Sequence, residues 1–316
     1  SGEGEPVDVY AAYNEMDEAR FVVERIRQWV REGGSWSEAA VLYRSNAQSR
    51  ALEEVLLAEQ VPYRVHGGMR FFERAEIKDT LAYLRLVANR GDDAAFERTV
   101  NTPVRGIGDR TLDEVRRRAR ERSVSLWQAA SALVAENALA ARARNAVAGF
   151  LSLIEALDAE TTDLALKDRV DHVLARSRLR EHWSSEARGQ LDAESRLENL
   201  DELVSVASRF SRAELDEDQQ SMSELVAFLS YAALEAGEGQ AQADEDGVQL
   251  MTLHSAKGLE FPLVLLVGVE EGVFPSSKSL EESGRLEEER RLAYVGITRA
   301  RHKLVLTWAE SRRIHG

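Results

Sequence analysis

The sequence of 316 residues contains no cysteine, so disulfide frameworks, zinc fingers and thiol nucleophiles are all excluded. It also lacks a long apolar run: the longest, residues 263–267, is far too short to span a bilayer. The first residues show no basic segment followed by an apolar one, the pattern of a secretory signal. With 44% hydrophobic and 30% charged residues, the composition is that of an ordinary globular protein. We therefore expect a cytoplasmic protein with no membrane partner, and the length suits about two domains.

The charge balance is strongly acidic, with a formal net charge of −14. Net charge describes the field far from a protein, whereas phosphate binding needs only a local cluster of donors. Residues 105–122 form such a cluster, with 7 arginines against 4 acidic residues. The acidic balance therefore does not exclude nucleic acid as a partner.

Strand-like and helix-like patterns alternate at both ends of the chain, whereas the middle shows helical patterns only. Apolar or β-rich runs predict strands at residues 7–13, 39–43, 63–66, 248–252, 263–267 and 303–308. Helical spacing of apolar residues predicts helices at residues 17–31, 49–59 and 286–300. In the middle of the chain it predicts amphipathic helices at residues 75–89, 110–122, 125–136, 138–159, 164–176, 194–210 and 222–235. Strands that alternate with helices along a chain form parallel sheets.

The predicted architecture is an α/β parallel-sheet domain that is discontinuous in sequence and consists of residues 1–71 and 245–316. An inserted all-α domain would comprise residues 72–244. Gly67-Gly68 and the small, polar residues 237–247 would form the paired hinge connections between the two domains.

One candidate ligand loop, residues 252–261 (TLHSAKGLEF), directly follows a predicted strand. Small and polar residues, a glycine and a carboxylate after a strand are typical of ligand loops at the carboxyl edge of a sheet. Glu260 could accept hydrogen bonds from a hydroxyl there, while Thr252, His254 and backbone amides could meet phosphate. An ordinary surface loop explains the same residues, and the pattern alone leaves both interpretations open.

A second candidate is Arg299, in residues 287–300 (EEERRLAYVGITRA). It stands where an apolar helix meets the last strand, an unfavourable place for a charge that has no anionic partner. Guanidinium suits a transferring phosphoryl group, because its planar fork donates several hydrogen bonds and keeps its charge. An ion pair with a nearby carboxylate is the alternative that the sequence leaves open.

A third candidate is the turn Gly106-Ile107-Gly108, just before a predicted helix. Two glycines around an apolar anchor present backbone N–H groups at the positive end of a helix, which is a phosphate site in helix-hairpin-helix proteins. A plain helix entry is the alternative. The arginines that follow could extend the site, although most of them are expected to be solvated.

Taken together, residues 252–261 and 287–300 resemble motifs V and VI of superfamily 1 DNA helicases of the UvrD/PcrA/Rep family. Residues 41–50 (VLYRSNAQSR) are similar to that family's strand and loop facing single-stranded DNA. Residues 67–74 and 102–108 resemble its exit into domain 2B and that domain's duplex-binding turn. The resemblance implies a RecA-like domain 2A in residues 1–71 and 245–316 and a domain 2B in residues 72–244.

The resemblance also implies roles for individual residues. Glu260 would hold the ribose of ATP, and Arg299 would be the arginine finger on the γ-phosphate. The residues along the single strand would be Thr252, His254, Arg44, Ser45 and Asn46. Those on the duplex would be Arg105, Gly106, Ile107 and Gly108. Lys257 and Tyr294 would only support the loop and the helix, and no residue of the chain is expected to bind a metal.

The family's phosphate loop, Gly-x-x-x-x-Gly-Lys-Ser/Thr, does not occur in this sequence, nor does a strand ending in the paired acidic residues that position Mg²⁺. The resemblance therefore implies the second half of an ATP-dependent 3′–5′ DNA helicase of DNA repair, inactive alone. Expected partners are single-stranded and duplex DNA, an amino-terminal RecA-like half that supplies the Mg²⁺ ligands, and repair proteins. A stand-alone DNA- or protein-binding module without ATPase activity is the alternative.

Overall fold

The computed structural model describes residues 5–66, 69–187, 189–210, 222–237, 246–276 and 285–312. The chain divides into two compact units, residues 1–71 with 235–314 and residues 72–234. The first unit thus resumes at Glu235, whereas the sequence analysis placed this boundary at residue 245. The predicted hinge residues Gly67, Gly68 and 238–245 lie outside the described residues.

The described residues of the first unit contain one six-stranded sheet in which every pair of neighbouring strands is parallel. The spatial order is β1-β6-β5-β2-β4-β3. The strands are β1 (Asp8–Asn14), β2 (Ala39–Tyr43), β3 (Tyr63–Val65), β4 (Val248–Thr252), β5 (Phe261–Leu266) and β6 (Ala300–Ser311). The predicted α/β class with a parallel sheet is therefore confirmed.

Strand β2 is buried along its whole length because both faces of the sheet are covered. Val41 and Tyr43 face one core, which α1 (Glu15–Arg31) and α2 (Ser49–Ala58) cover. Ala40 and Leu42 face the other core, together with Leu292 of the last described helix (Arg285–Ile297). Successive side chains of a strand point to opposite faces, so a fully apolar run is typical of such a central strand.

The regular elements in the described residues of the second unit are helices. They are α3 (Ala75–Ala88), α4 (Asp93–Thr99), α5 (Asp109–Arg122), α6 (Leu126–Ala135), α7 (Ala141–Thr161), α8 (Leu166–Ser177), α9 (Leu179–Ser185), α10 (Gln190–Arg209) and α11 (Glu224–Gly237). The helix Arg285–Ile297 of the first unit is α12. None of the described helices is both long and apolar enough to cross a bilayer.

The two segments that connect the first unit to the rest of the chain are fixed side by side. The Arg70 guanidinium donates a hydrogen bond to the carbonyl of Ala236. The amide of Phe71 donates to the Glu53 carboxylate of α2 at 3.1 Å, and Glu235 lies 3.5 Å from the buried Arg50 guanidinium. A buried charge is tolerated when it has a partner of opposite sign, so these pairs hold both segments on α2.

Candidate functional site

Polar residues stand at the ends of two neighbouring strands, β2 and β4, at the carboxyl edge of the sheet. Strands β2 and β4 pair with Tyr43 opposite Thr252, and the Leu253 amide donates to the Tyr43 carbonyl at 2.9 Å. Arg44, Ser45 and Asn46 follow β2, and Thr252 and His254 end or follow β4. The structure thus brings together at one edge the five residues that the sequence assigned to the single strand.

The side chain of Gln48 holds the loop after β2. Its Oε1 accepts hydrogen bonds from the backbone amides of Arg44 and Ser45, both at 2.9 Å. Two amides that point at one acceptor fix the backbone before α2 begins at Ser49, where the Ser49 hydroxyl donates to the Asn46 carbonyl at 2.9 Å. The loop that contains Arg44, Ser45 and Asn46 therefore has a backbone held by hydrogen bonds.

The loop after β4 alternates buried anchors with exposed polar residues. Leu253 and Ala256 are fully buried, whereas His254 and Ser255 are exposed. Thr252 Oγ1 accepts from the Ser255 amide at 3.3 Å, which closes a tight turn.

Gly258 gives this loop its next change of direction. Its φ is +86°, in the left-handed region that glycine enters without strain. The glycine of the TLHSAKGLEF pattern is therefore required by the backbone of the loop, whatever the loop binds.

Arg44 is tied to helix α12 by an ion pair with Glu289. Its Nε lies 2.9 and 3.2 Å from the two Glu289 carboxylate oxygens, and its Nη2 lies 2.9 Å from Oε1. Partial desolvation and the Arg44 guanidinium lower the pKa of His254, against the opposing effect of Glu288 and Glu289. His254 is therefore neutral at neutral pH, beside an Arg44 guanidinium that Glu289 holds in place.

Glu260 does not lie at this edge, which corrects the expectation that the whole 252–261 loop forms one ligand site at the carboxyl ends of the strands. Because β5 runs parallel to β4, the chain must return to the amino edge of the sheet before β5 begins at Phe261. Glu260 is the residue before that start. The loop therefore connects two edges, with Thr252 and His254 at one and Glu260 at the other.

Arg299 lies beside Glu260 at the amino edge. Arg299 precedes β6, which pairs with β5, and the Phe261 amide donates to the Arg299 carbonyl at 2.9 Å. The carboxylate of Glu260 is exposed, and no described residue donates a hydrogen bond to it. The two residues that the family resemblance assigned to ATP are thus neighbours, even though they lie 39 positions apart in the chain.

The Arg299 guanidinium is oriented by backbone and hydroxyl oxygens rather than by a carboxylate. Its Nε donates to the Val295 carbonyl at 3.0 Å, Nη1 to the Leu259 carbonyl at 2.8 Å, and Nη2 to Thr298 Oγ1 at 3.0 Å. Within the described part of the chain, no carboxylate lies within ion-pair distance. Of the five N–H groups of a guanidinium, one on each η nitrogen has no described acceptor. The ion-pair alternative therefore finds no support in the described residues, and a fixed, uncompensated cation remains at this edge.

The surface around Arg299 carries exposed apolar side chains. Tyr294 is 71% exposed and Ile297 45% exposed, one helical turn apart on α12. Tyr294 and Lys257, which were expected to support the helix and the loop, are both exposed. An exposed tyrosine and an exposed isoleucine therefore lie on the same face of the chain as the fixed Arg299 guanidinium.

In the second unit, the turn Gly106-Ile107-Gly108 leads into α5. Gly106 has a φ of +79°, Ile107 is buried, and Gly108 caps the helix. The Ile107 amide is not available to a ligand, since it donates to Asn101 Oδ1 at 3.2 Å. The amides of Gly108, Asp109 and Arg110 have no acceptor among the described residues, and a Cβ on either glycine would meet nothing within 4 Å. The helix start is therefore open, but Ile107 serves only as its anchor.

The Arg105 side chain is partly buried and donates its hydrogen bonds to groups within the second unit. Its Nη1 donates to the carbonyls of Thr99 and Pro103, both at 3.0 Å, and its Nη2 donates to the Tyr83 hydroxyl. The guanidinium also lies over the Phe150 ring, with its carbon 5.4 Å from the ring centroid. These inward bonds replace the solvent-facing phosphate contact expected for Arg105, and they brace the turn instead.

The basic cluster after the turn is largely neutralised. Four of its arginines form ion pairs with carboxylates on α4, α5 or just after α6, which are Arg116, Arg117, Arg118 and Arg122. Arg110 and Arg120 are exposed, and no described carboxylate pairs with them. The cationic surface of α5 is therefore smaller than a count of its arginines predicts.

Comparison with known proteins decides the family. Residues 1–311 match the family described as UvrD-like helicase C-terminal domain. The chain belongs to this family. The resemblance drawn from residues 252–261 and 287–300 is thereby confirmed.

Curated relatives agree with this assignment. DNA helicase II of Escherichia coli (strain K12) is 61% identical over 314 residues, 99% of this chain and 43% of the relative. DNA helicase II of Haemophilus influenzae is 56% identical over 99% of this chain and 42% of the relative. ATP-dependent DNA helicase PcrA of Bacillus subtilis is 43% identical over 99% of this chain and 42% of the relative. This UvrD-like C-terminal domain thus spans about two-fifths of the length of the relatives it matches.

Two residues of this UvrD-like domain hold parts of the site in place but were not identified from the sequence. Gln48 fixes the loop after β2, and Glu289 holds Arg44. Gln48 lies within residues 41–50, where its position four residues after Arg44 was the available signal. Glu289 lies 245 positions from Arg44, and the available signal was its helical spacing, three residues before the buried Leu292.

Proposed function

We propose that this chain is the second motor half of an ATP-dependent 3′–5′ DNA helicase, with a RecA-like first unit and a second unit that grips duplex DNA. The observation that carries the proposal is Arg299, a fixed guanidinium that no described carboxylate neutralises. It is adjacent to the Glu260 carboxylate, to which no described residue donates a hydrogen bond. The family assignment and the names of the helicase relatives support it.

Arg299 suits the role of arginine finger because its orientation is set before any ligand arrives. Three oxygens hold the guanidinium, and one N–H on each η nitrogen is left to donate to a γ-phosphate. A preorganised cation stabilises the charge that spreads over a transferring phosphoryl group without reorganising at the moment of reaction. The carboxylate of Glu260, at the same edge, would accept hydrogen bonds from the ribose hydroxyls.

The remaining parts of the ATP site would come from a separate amino-terminal RecA-like half. In the described residues no group of three or more histidine or acidic side chains is placed to hold a metal ion. The Mg²⁺ ligands and the phosphate loop would therefore belong to that half, packed on the exposed Tyr294 and Ile297. The nucleotide would supply the free energy for movement, and this chain would supply the ribose contact and the finger.

DNA would occupy two other places. The single strand would follow the carboxyl edge of the sheet, along Arg44, Ser45, Asn46, Thr252 and His254. The duplex would meet the second unit at the open start of α5, where the amides of Gly108, Asp109 and Arg110 point to solvent. Amides at a helix start bind phosphate without reading sequence.

The test is the ATPase rate of the complete protein that contains this chain, measured with single-stranded DNA. Arg299→Ala should lower turnover by about 10³–10⁵, the range typical of an arginine finger, without unfolding the domain. Arg301→Ala is the matched control, since Arg301 is exposed, lies two positions away and should leave the rate unchanged.

Three outcomes would count against the proposal. A near-normal rate for Arg299→Ala would make Arg299 a structural residue of the α12 terminus. DNA-stimulated ATPase in the isolated 316-residue chain would contradict the half-motor interpretation directly. Complete absence of ATPase from the complete protein would favour a stand-alone binding module.

A further inference from the structure

We propose that Glu289 is a positioning residue for DNA, which orients the Arg44 guanidinium towards the phosphates of the single strand. The inference rests on the strand path of the proposed function. It assigns a task in DNA binding to a glutamate, a residue that by its charge alone repels DNA.

The geometry of the pair is side-on. Glu289 is 4% exposed and Arg44 17% exposed, and the carboxylate takes the Nε and Nη2 edge of the guanidinium. No described residue accepts a hydrogen bond from Nη1. The two N–H groups of Nη1 are therefore left on the opposite edge of a guanidinium whose plane is fixed.

Fixing the plane has an energetic consequence. A free arginine side chain loses much of its rotamer entropy when it is immobilised. In this domain the buried Glu289 has already immobilised Arg44, with Gln48 holding the backbone on which it stands. Contact with a phosphate then costs less ordering, which is how preorganisation raises affinity.

The neighbouring His254 fits this arrangement. The Arg44 guanidinium lies close enough to contribute to lowering the pKa of His254, so the imidazole is uncharged at neutral pH. Two cations side by side would repel each other and turn Arg44 away. A neutral His254 beside a Glu289-bound Arg44 leaves one positive group at a defined place on the strand path.

The test is the binding of a fluorescein-labelled oligothymidine to the 316-residue chain, by fluorescence anisotropy over a series of salt concentrations. Glu289→Gln should weaken binding about tenfold, the order expected for losing a hydrogen bond to a charged group. It should also flatten the dependence of log Kd on log salt by about 0.7, the value of one phosphate contact on a single strand. Removing a negative charge without a positioning role has the opposite effect, because binding to DNA becomes tighter.

Glu288→Gln is the matched control. Glu288 is the adjacent residue on α12, its side chain is 56% exposed, and it pairs with Arg291 rather than Arg44. This variant removes the same charge and should bind the oligonucleotide as tightly as the unmodified chain, or slightly tighter.

A double-mutant cycle separates positioning from a loss of fold. In an Arg44→Ala background, Glu289→Gln should have no further effect on affinity or on the salt slope. Glu289→Asp keeps the charge but shortens the side chain, so it should give an intermediate loss and serves if Glu289→Gln does not fold. Unchanged or tighter binding by both variants would overturn the inference while leaving the strand path intact. If the unmodified chain does not bind the oligonucleotide, the strand path itself fails, and the inference with it.

Discussion

The effect on stability of replacing Gly296, in the last turn of α12, can be worked out from distances in the structure. A Cβ at this position would lie 2.6 Å from Leu253 Cδ2 and 3.4 Å from Leu266 Cδ2. Carbon atoms that are not bonded prefer separations of about 3.5–4.0 Å, so the added methyl overlaps Leu253 by roughly 1 Å. Leu253 is fully buried in the core and Leu266 almost so, so a shift of either side chain presses on other core residues.

Overpacking of this kind typically costs about 1–3 kcal/mol. The first unit comprises residues 1–71 and 235–314, or 151 positions, and for that size 1 kcal/mol lowers Tm by roughly 2–4 °C. Gly296→Ala should therefore lower the Tm of this unit by about 2–12 °C. Because α12 ends beside Arg299, the same displacement should reduce ATP turnover in the complete protein.

Gly149→Ala is the matched control, since Gly149 lies inside α7 and a Cβ there meets nothing within 4 Å. Alanine in a helix is favoured over glycine by roughly 0.5–1 kcal/mol, so this variant should be more stable than the unmodified chain. Circular dichroism during thermal and urea unfolding measures both effects. Equal stabilisation by the two substitutions would refute the close-packing argument, because it would show that α12 yields to the extra methyl.

Three further changes test other parts of the structure. Glu260→Gln should raise the KM for ATP in the complete protein more than it lowers kcat, because a ribose contact is made in ground and transition states alike; steady-state kinetics separates the two. Gly108→Val should remove any preference for a hairpin with a 3′ tail over single strand in anisotropy titrations, since Gly108 has an ordinary φ of −84° and its side chain would meet only the DNA. Burial, opposed by Arg98, raises the pKa of Asp79 from 3.8 to about 6. Between about pH 4 and 6, the folded state therefore keeps a proton on Asp79 that the unfolded state has released. The free energy of unfolding falls as the pH rises through this range, by up to about 3 kcal/mol. Urea unfolding of Asp79→Asn across that window should show a flatter pH dependence.

Helices and strands could be predicted from the sequence where a segment showed one strong pattern of apolar residues. Strands β2 and β4 were predicted with the bounds that the structure gives, because each is a short, mainly apolar segment rich in strand-forming residues. Helices α4 and α9 were missed, and each is only seven residues long. Two turns are too short for helical spacing to stand out from chance.

The candidate site shows a different limit. Residues 252–261 and Arg299 could be recognised from local patterns, but the edge on which Glu260 lies follows from the direction of β5, which no single motif contains. Arg105 was grouped with a basic cluster, although its partners Tyr83, Thr99 and Phe150 come from three helices. Long-range partners of this kind decide whether an arginine faces DNA or the interior, and sequence spacing does not reveal them.

The side-by-side anchoring of residues 70–71 and 235–236 bears on how this protein could be rearranged by recombination. A segment whose two ends leave a domain next to each other can be exchanged, shortened or lost without stretching the backbone that remains. Here the Arg70 guanidinium donates a hydrogen bond to the Ala236 carbonyl, and the Phe71 amide donates one to Glu53 of α2. All four residues belong to the first unit. A gene in which codons 72–234 are replaced by those of a short turn would still encode every strand of the sheet and both of its edges. Residues 72–234 therefore leave and re-enter the first unit at neighbouring points, which is the condition under which a segment can be exchanged without stretching the sheet domain.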